Sequence, residues 1–126
     1  MVANILIVDD NPEVGRAIAR MLPAYHTSFE TDPSEAVRRF ASGERIDLVL
    51  CDLEMPGMSG REVYEALHRE RPRQAPIMLM MSGHDNVKSL FDAGCPVLLK
   101  PFRARELRAL VSALLHEDAP TVTACT

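Results

Sequence analysis

The sequence predicts an α/β fold, a doubly wound five-stranded parallel sheet with helices on both faces. Three observations carry this reading. Five short apolar runs alternate with segments whose apolar residues recur at helical spacing. The middle run, Leu48-Val49-Leu50-Cys51, is apolar at every position, as a strand buried on both faces is. Most of the runs also stop at a polar group, which is expected where parallel strands end at one chemically active rim.

The elements follow in order. Ile5-Leu6-Ile7-Val8 is a strand that stops at Asp9-Asp10. Asn11 then offers an N-cap and Pro12 suits the first helical position. Val14, Ile18, Met21 and Leu22 mark the apolar face of that helix, which ends near Pro23. His26 to Glu30 is more polar, so it reads as an edge strand. Asp32-Pro33-Ser34-Glu35 opens a second helix that buries Ala36, Val37 and Phe40 and stops at Gly43. After the central run, Ser59-Gly60-Arg61-Glu62 has the form of a capping box for a helix reaching about Glu70. Ile77 to Met81 is the fourth strand, ending at Ser82-Gly83. Val87, Leu90 and Phe91 suggest a short helix terminated by Gly94, and Val97-Leu98-Leu99 a short fifth strand before Lys100-Pro101. Leu107, Leu110, Val111, Leu114 and Leu115 mark the terminal helix.

Strands alternating with helices imply right-handed crossovers and a parallel sheet. The order 2-1-3-4-5, flavodoxin-like, fits because the second and fifth runs are the most polar and the shortest. Asp9-Asp10, Asp52, Ser82 and Lys100 then stand at the carboxyl ends of different strands, on one rim. Two unit charges about 4 Å apart repel by roughly 4 kcal/mol at an effective dielectric near 20. Either one of the acids is protonated or a divalent cation sits among them. Oxygen ligands without a nearby His or Cys point to Mg²⁺ (or Mn²⁺). Such an ion, an ammonium group and a hydroxyl around a carboxylate suit a phosphoryl group in transit, and a carboxylate can itself be the nucleophile. Each signal has an ordinary reading alone: Asp-Asp as a helix cap, Ser-Gly as a turn, Lys-Pro as a weak pair. Their convergence in chain order is what points to a site.

At these residues the chain resembles a response-regulator receiver domain of two-component signalling. The likeness rests on Ile7-Val8-Asp9-Asp10, on Asp52 followed by Met55-Pro56-Gly57-Met58-Ser59-Gly60, on Ser82-Gly83, and on Lys100-Pro101-Phe102. The resemblance implies that Asp52 is the phosphoacceptor, charged from a phosphohistidine of a sensor histidine kinase or phosphotransfer protein. It implies Asp10 and Asp52 as direct Mg²⁺ ligands, Asp9 through water, and the backbone carbonyl of Glu54 as a further ligand. Ser82 and Lys100 would bind phosphoryl oxygens and carry the switch, with a cis peptide before Pro101. Glu54 and His84, two positions beyond Asp52 and Ser82, would tune dephosphorylation. The receiver would span residues 1–118, with 119–126 a flexible tail or linker stump.

The sequence departs from the family in two places. Val97 stands where an aromatic usually couples the hydroxyl's movement to the output face. The interval from Ser82 to Lys100 is short by about one helical turn, which shortens the fourth helix. Arg103 and Arg105 open the terminal helix, where positive charge is disfavoured.

Composition bounds the rest. At 126 residues with 47% apolar and 25% charged, the chain makes one ordinary globular domain. A net charge of −4 gives no support for direct nucleic-acid or membrane-surface binding. Cys51, Cys95 and Cys125 lack metal spacing and read as reduced cytoplasmic thiols. The first reading is therefore a phosphoacceptor module with an unidentified downstream protein, free-standing or part of a hybrid kinase. Self-phosphorylation and slow autodephosphorylation would be its only chemistry. The Ser82-Gly83-His84 turn and the short fourth helix resemble receivers fused behind kinases. The alternatives are a phosphorylation-independent interaction module of the same fold, or a phosphatase with an aspartate nucleophile. Against the last, Glu54 stands where such an enzyme needs a second Asp, and no cap domain is available.

Overall fold

The computed structural model describes residues 2–83 and 95–116. Its strands are β1 (Asn4–Val8), β2 (His26–Glu30), β3 (Leu48–Asp52), β4 (Ile77–Ser82) and β5 (Val97–Leu99). Its helices are α1 (Pro12–Met21), α2 (Pro33–Ala41), α3 (Gly60–Glu70) and α4 (Ala104–Leu115). The short helix expected around Val87 to Ala93, together with His84 and the tail from 119, lies outside the described residues.

The sheet order is β2-β1-β3-β4-β5, parallel at every pairing, with β2 and β5 at the edges as the sequence predicts. Alternation along the strands explains why the central runs are apolar throughout. Leu6, Val8, Val49, Cys51, Met78 and Met80 face one core layer, beneath Ala36, Phe40, Val63 and Leu67 of α2 and α3. Ile5, Ile7, Leu48, Leu50, Leu79 and Met81 face the other, beneath Ile18 of α1 and Leu107, Val111 and Leu114 of α4. Strands clamped between two apolar layers cannot slip by one residue without turning every side chain to the wrong layer.

Helix starts follow local chemistry. Asn11 and Asp32 each accept a backbone N–H two residues on, from Glu13 and Ser34, and Pro follows each cap. At α3 the predicted capping box is complete: Ser59 Oγ accepts the Glu62 N–H at 3.2 Å, and the Ser59 N–H donates to Glu62 at 2.9 Å. At α4 the cap residue is Arg103, which has no capping oxygen. Glu106 supplies the missing half by accepting the Arg103 N–H at 2.8 Å. Its negative charge also suits the helix start that the arginines burden.

Away from the rim, Arg39 of α2 gathers a polar cluster the sequence did not disclose. Its guanidinium donates to Glu30 at 3.1 Å, to Ser28 at 3.0 Å and to Glu44 at 3.0 Å. It thereby ties α2 to the edge strand and to the turn before β3. The Arg39 bond holds the Glu44 carboxyl below its ordinary range. With its folded-state pKa below the unfolded one, Glu44 contributes full stabilisation at neutral pH and loses it as the pH falls through the acid range. Arg39→Ala should lower unfolding stability by about 1 kcal/mol in urea at neutral pH. The gap should narrow below about pH 4, where the carboxyls protonate in both proteins; a gap that widens there contradicts this account.

Candidate functional site

Register builds the rim. Val8 pairs with Cys51, so the next residues, Asp9 and Asp52, emerge side by side from β1 and β3. Asp52 pairs with Met81 and Ser82 with Leu99, so Ser82 and Lys100 reach the same edge. One carboxylate oxygen from each of Asp9, Asp10 and Asp52 lies within 4.8 Å of the other two. Lys100 Nζ stands 3.5 Å from Asp52 Oδ1 and 3.7 Å from Asp9 Oδ2. The Lys100–Pro101 peptide bond is cis.

The three acids sit in different surroundings. Asp10 is exposed and Asp52 partly buried, while Asp9 is only 3% exposed. The Asn11 N–H donates to Asp9 Oδ1 at 2.9 Å. Asp9 Oδ2 is buried with no hydrogen-bond partner, since Lys100 at 3.7 Å is a charged neighbour rather than a donor. Burial pushes the Asp9 carboxyl above its usual range. The Asn11 bond and Lys100 oppose that rise, and the negative charges of Asp52 and Asp10 add to it. A buried, unpartnered oxygen facing two further carboxylates fits a hard divalent cation, which takes oxygen ligands and keeps several waters. The donor set contains no His or Cys, so the residues present suit Mg²⁺ or Mn²⁺.

The remaining residues have definite places. Ser82 is buried at the end of β4, and its carbonyl accepts the Lys100 N–H at 2.7 Å, joining the two strand ends. Glu54 is exposed, and its N–H reaches Asp52 Oδ1 at 3.4 Å, a long contact. Val97 is half-buried against the core layer under α2 and α3. Cys51 and Cys95 are buried outside any disulfide, and burial drives the Cys51 thiol pKa upward, followed by the Asp52 charge, so Cys51 stays protonated and inert. His84 lies outside the described residues. A further contributor is Gly60, which the sequence marks only as part of the helix start and the motif, and whose N–H donates to the Leu53 carbonyl at 2.8 Å, next to Asp52. A glycine at the first helical position, where the Ser59 cap does not call for one, was the available signal.

Similarity to known proteins agrees with this geometry. A family model described as the response regulator receiver domain matches residues 5–112. The sensor histidine kinase TmoS of Ectopseudomonas mendocina is 36% identical over 116 residues, covering 88% of this chain and 12% of that protein. The DNA-binding response regulator MtrA of Mycolicibacterium smegmatis is 33% identical over 123 residues, covering 92% of this chain and 53% of that protein. The chain thus spans about half the length, or less, of these curated relatives. Among solved structures, the chemotaxis response regulator CheY4 of Vibrio cholerae superposes with a TM-score of 0.81 at 25% identity, covering 91% of this chain and 100% of that one. A CheY-like receiver domain protein from Methanospirillum hungatei gives 0.80 at 26%, covering 91% and 94%.

The crowding of acids has a thermodynamic consequence. Because the Asp9 pKa is raised in the folded state, its ionised form costs stability at neutral pH, and protonation at lower pH removes the cost. Asp9→Asn keeps an oxygen for the Asn11 N–H and removes the charge. It should melt a few degrees higher than wild type in chelator, about 1 kcal/mol. Mg²⁺ at ten times its dissociation constant should stabilise wild type by about 1.4 kcal/mol, and the variant by less than half of that. Equal Mg²⁺ responses in thermal melts would contradict the assignment.

Proposed function

Because the chain belongs to the response regulator receiver family, we propose that it takes a phosphoryl group onto Asp52 from a phosphohistidine and changes conformation in response. The observation that carries the reading is the cluster at the rim: three carboxylates within 4.8 Å of one another, with the Lys100 ammonium beside Asp52. The donor is a sensor histidine kinase or a phosphotransfer protein, in keeping with relatives that include kinases and regulators. The segment serves either as a single-domain regulator or as the receiver of a hybrid kinase.

The chain's own groups divide the work. Asp52 Oδ attacks phosphorus in line with the P–N bond, which breaks as the P–O bond forms, and the imidazole leaves with its electron pair. Lys100 offsets charge on the Asp52 carboxylate before transfer and pairs with a phosphoryl oxygen after it. Asp9 and Asp10 with Asp52, and the Glu54 carbonyl, would hold Mg²⁺. When bound, that ion would neutralise the carboxylates and offset charge on the phosphoryl oxygens. The Ser82 hydroxyl donates to a phosphoryl oxygen. The added charge of about −1.5 to −2 draws Ser82 and Lys100 toward Asp52 and resets the strand ends that carry them. Readout proceeds without an aromatic at Val97. By the family resemblance, Glu54 and His84 would set how long the phosphoryl group persists.

Incubation with acetyl phosphate and Mg²⁺ tests this, read by intact mass. Wild type should gain one phosphoryl group, and the gain should vanish in Asp52→Asn and in excess chelator. In the same assay Glu54→Ala and His84→Ala should keep the yield and change the rate of loss. No gain in wild type, or an undiminished gain in Asp52→Asn, rules the reading out.

A further inference from the structure

We infer that Gly60 is a positioning residue for Asp52, acting through the backbone on which the phosphoacceptor stands; this rests on the functional reading above. A Cβ at position 60 would lie 2.8 Å from the Asp52 carbonyl oxygen, 2.9 Å from Leu53 Cα and 3.0 Å from Met80 Sδ. Met80 is buried, but its Sδ need give by only a few tenths of an ångström. The two backbone atoms cannot shift, because the segment they belong to is held from both sides. On the β4 side the Leu53 N–H donates to the Met81 carbonyl at 2.9 Å. On the α3 side the Gly60 N–H donates to the Leu53 carbonyl at 2.8 Å. The capping box of Ser59 and Glu62 fixes where α3 begins.

The first turn of α3 therefore rests flat on the peptide that follows Asp52, and only a residue without Cβ allows that contact. A methyl group there forces α3 away or displaces the Asp52–Leu53 peptide. Either movement shifts the Asp52 carboxylate relative to Asp9, Asp10 and Lys100, and ligand placement tolerates only about half an ångström of error. Gly57 in the same loop provides the contrast. Its φ of +85° strains any other residue, yet nothing lies within 4 Å of where its Cβ would be. Substitution at Gly57 costs stability without touching the Asp52 backbone.

Calorimetric titration of the whole chain with Mg²⁺ separates the two glycines. Gly60→Ala should bind Mg²⁺ about tenfold more weakly than wild type, the scale on which residues behind a metal ligand act. Gly57→Ala should stay within about twofold while melting lower. A folded Gly60→Ala protein with wild-type affinity overturns the inference and leaves the functional reading intact. A wild-type chain that takes up no Mg²⁺ overturns both. Should Gly60→Ala not fold, amide exchange in wild type decides. Saturating Mg²⁺ should slow exchange at Gly60 more than at Val63, one turn further along α3, and equal slowing contradicts the proposal.

Discussion

Asp9, Asp10 and Asp52 repel one another, and the fold holds them together regardless. Parallel strands set the positions of Asp9 and Asp52 by register, and their two-sided burial prevents a slip that would relieve the strain. Asp9 bears most of the cost. It is buried, one of its oxygens has no hydrogen-bond donor, and its pKa is raised in consequence. Such an arrangement stores free energy that a bound cation would release.

The rest of the molecule keeps that rim fixed. The apolar layer under α1 and α4 and the one under α2 and α3 grip β1, β3 and β4 from opposite sides. Lys100 arrives by a shorter route, through a three-residue edge strand whose next N–H bonds to the Ser82 carbonyl. The hydroxyl-bearing and ammonium-bearing strand ends are therefore coupled by a direct backbone bond, so a pull on one is felt by the other. Asp9 and Asp52 thus continue strands buried on both faces, whereas Lys100 follows a three-residue edge strand.

Much of this was legible in the sequence because it depends on local pattern. Continuous apolar runs announced strands buried on both faces, Asn11, Asp32 and Ser59 announced helix starts, and polar residues at strand ends announced the rim. What the sequence concealed depends on contacts between distant segments. Nothing local distinguishes Asp9 from Asp10, yet one is buried and the other exposed, because only Asp9 directly continues the fully buried end of β1. The Arg39 cluster joins residues from 28 to 44 through four side chains whose types are ordinary surface residues. Gly60 read as part of a helix cap, and its close approach to Asp52 emerges only when α3 is docked on the end of β3.

The most direct test of a single cation site at this rim is paramagnetic broadening of the amide spectrum by substoichiometric Mn²⁺. Signals of residues 9–10, 52–54 and 100 should broaden first. Those near the exposed acids Glu65 and Glu70, further along α3 and away from the rim, should persist. Broadening that starts at the exposed helical acids, or spreads evenly over the surface, would contradict it.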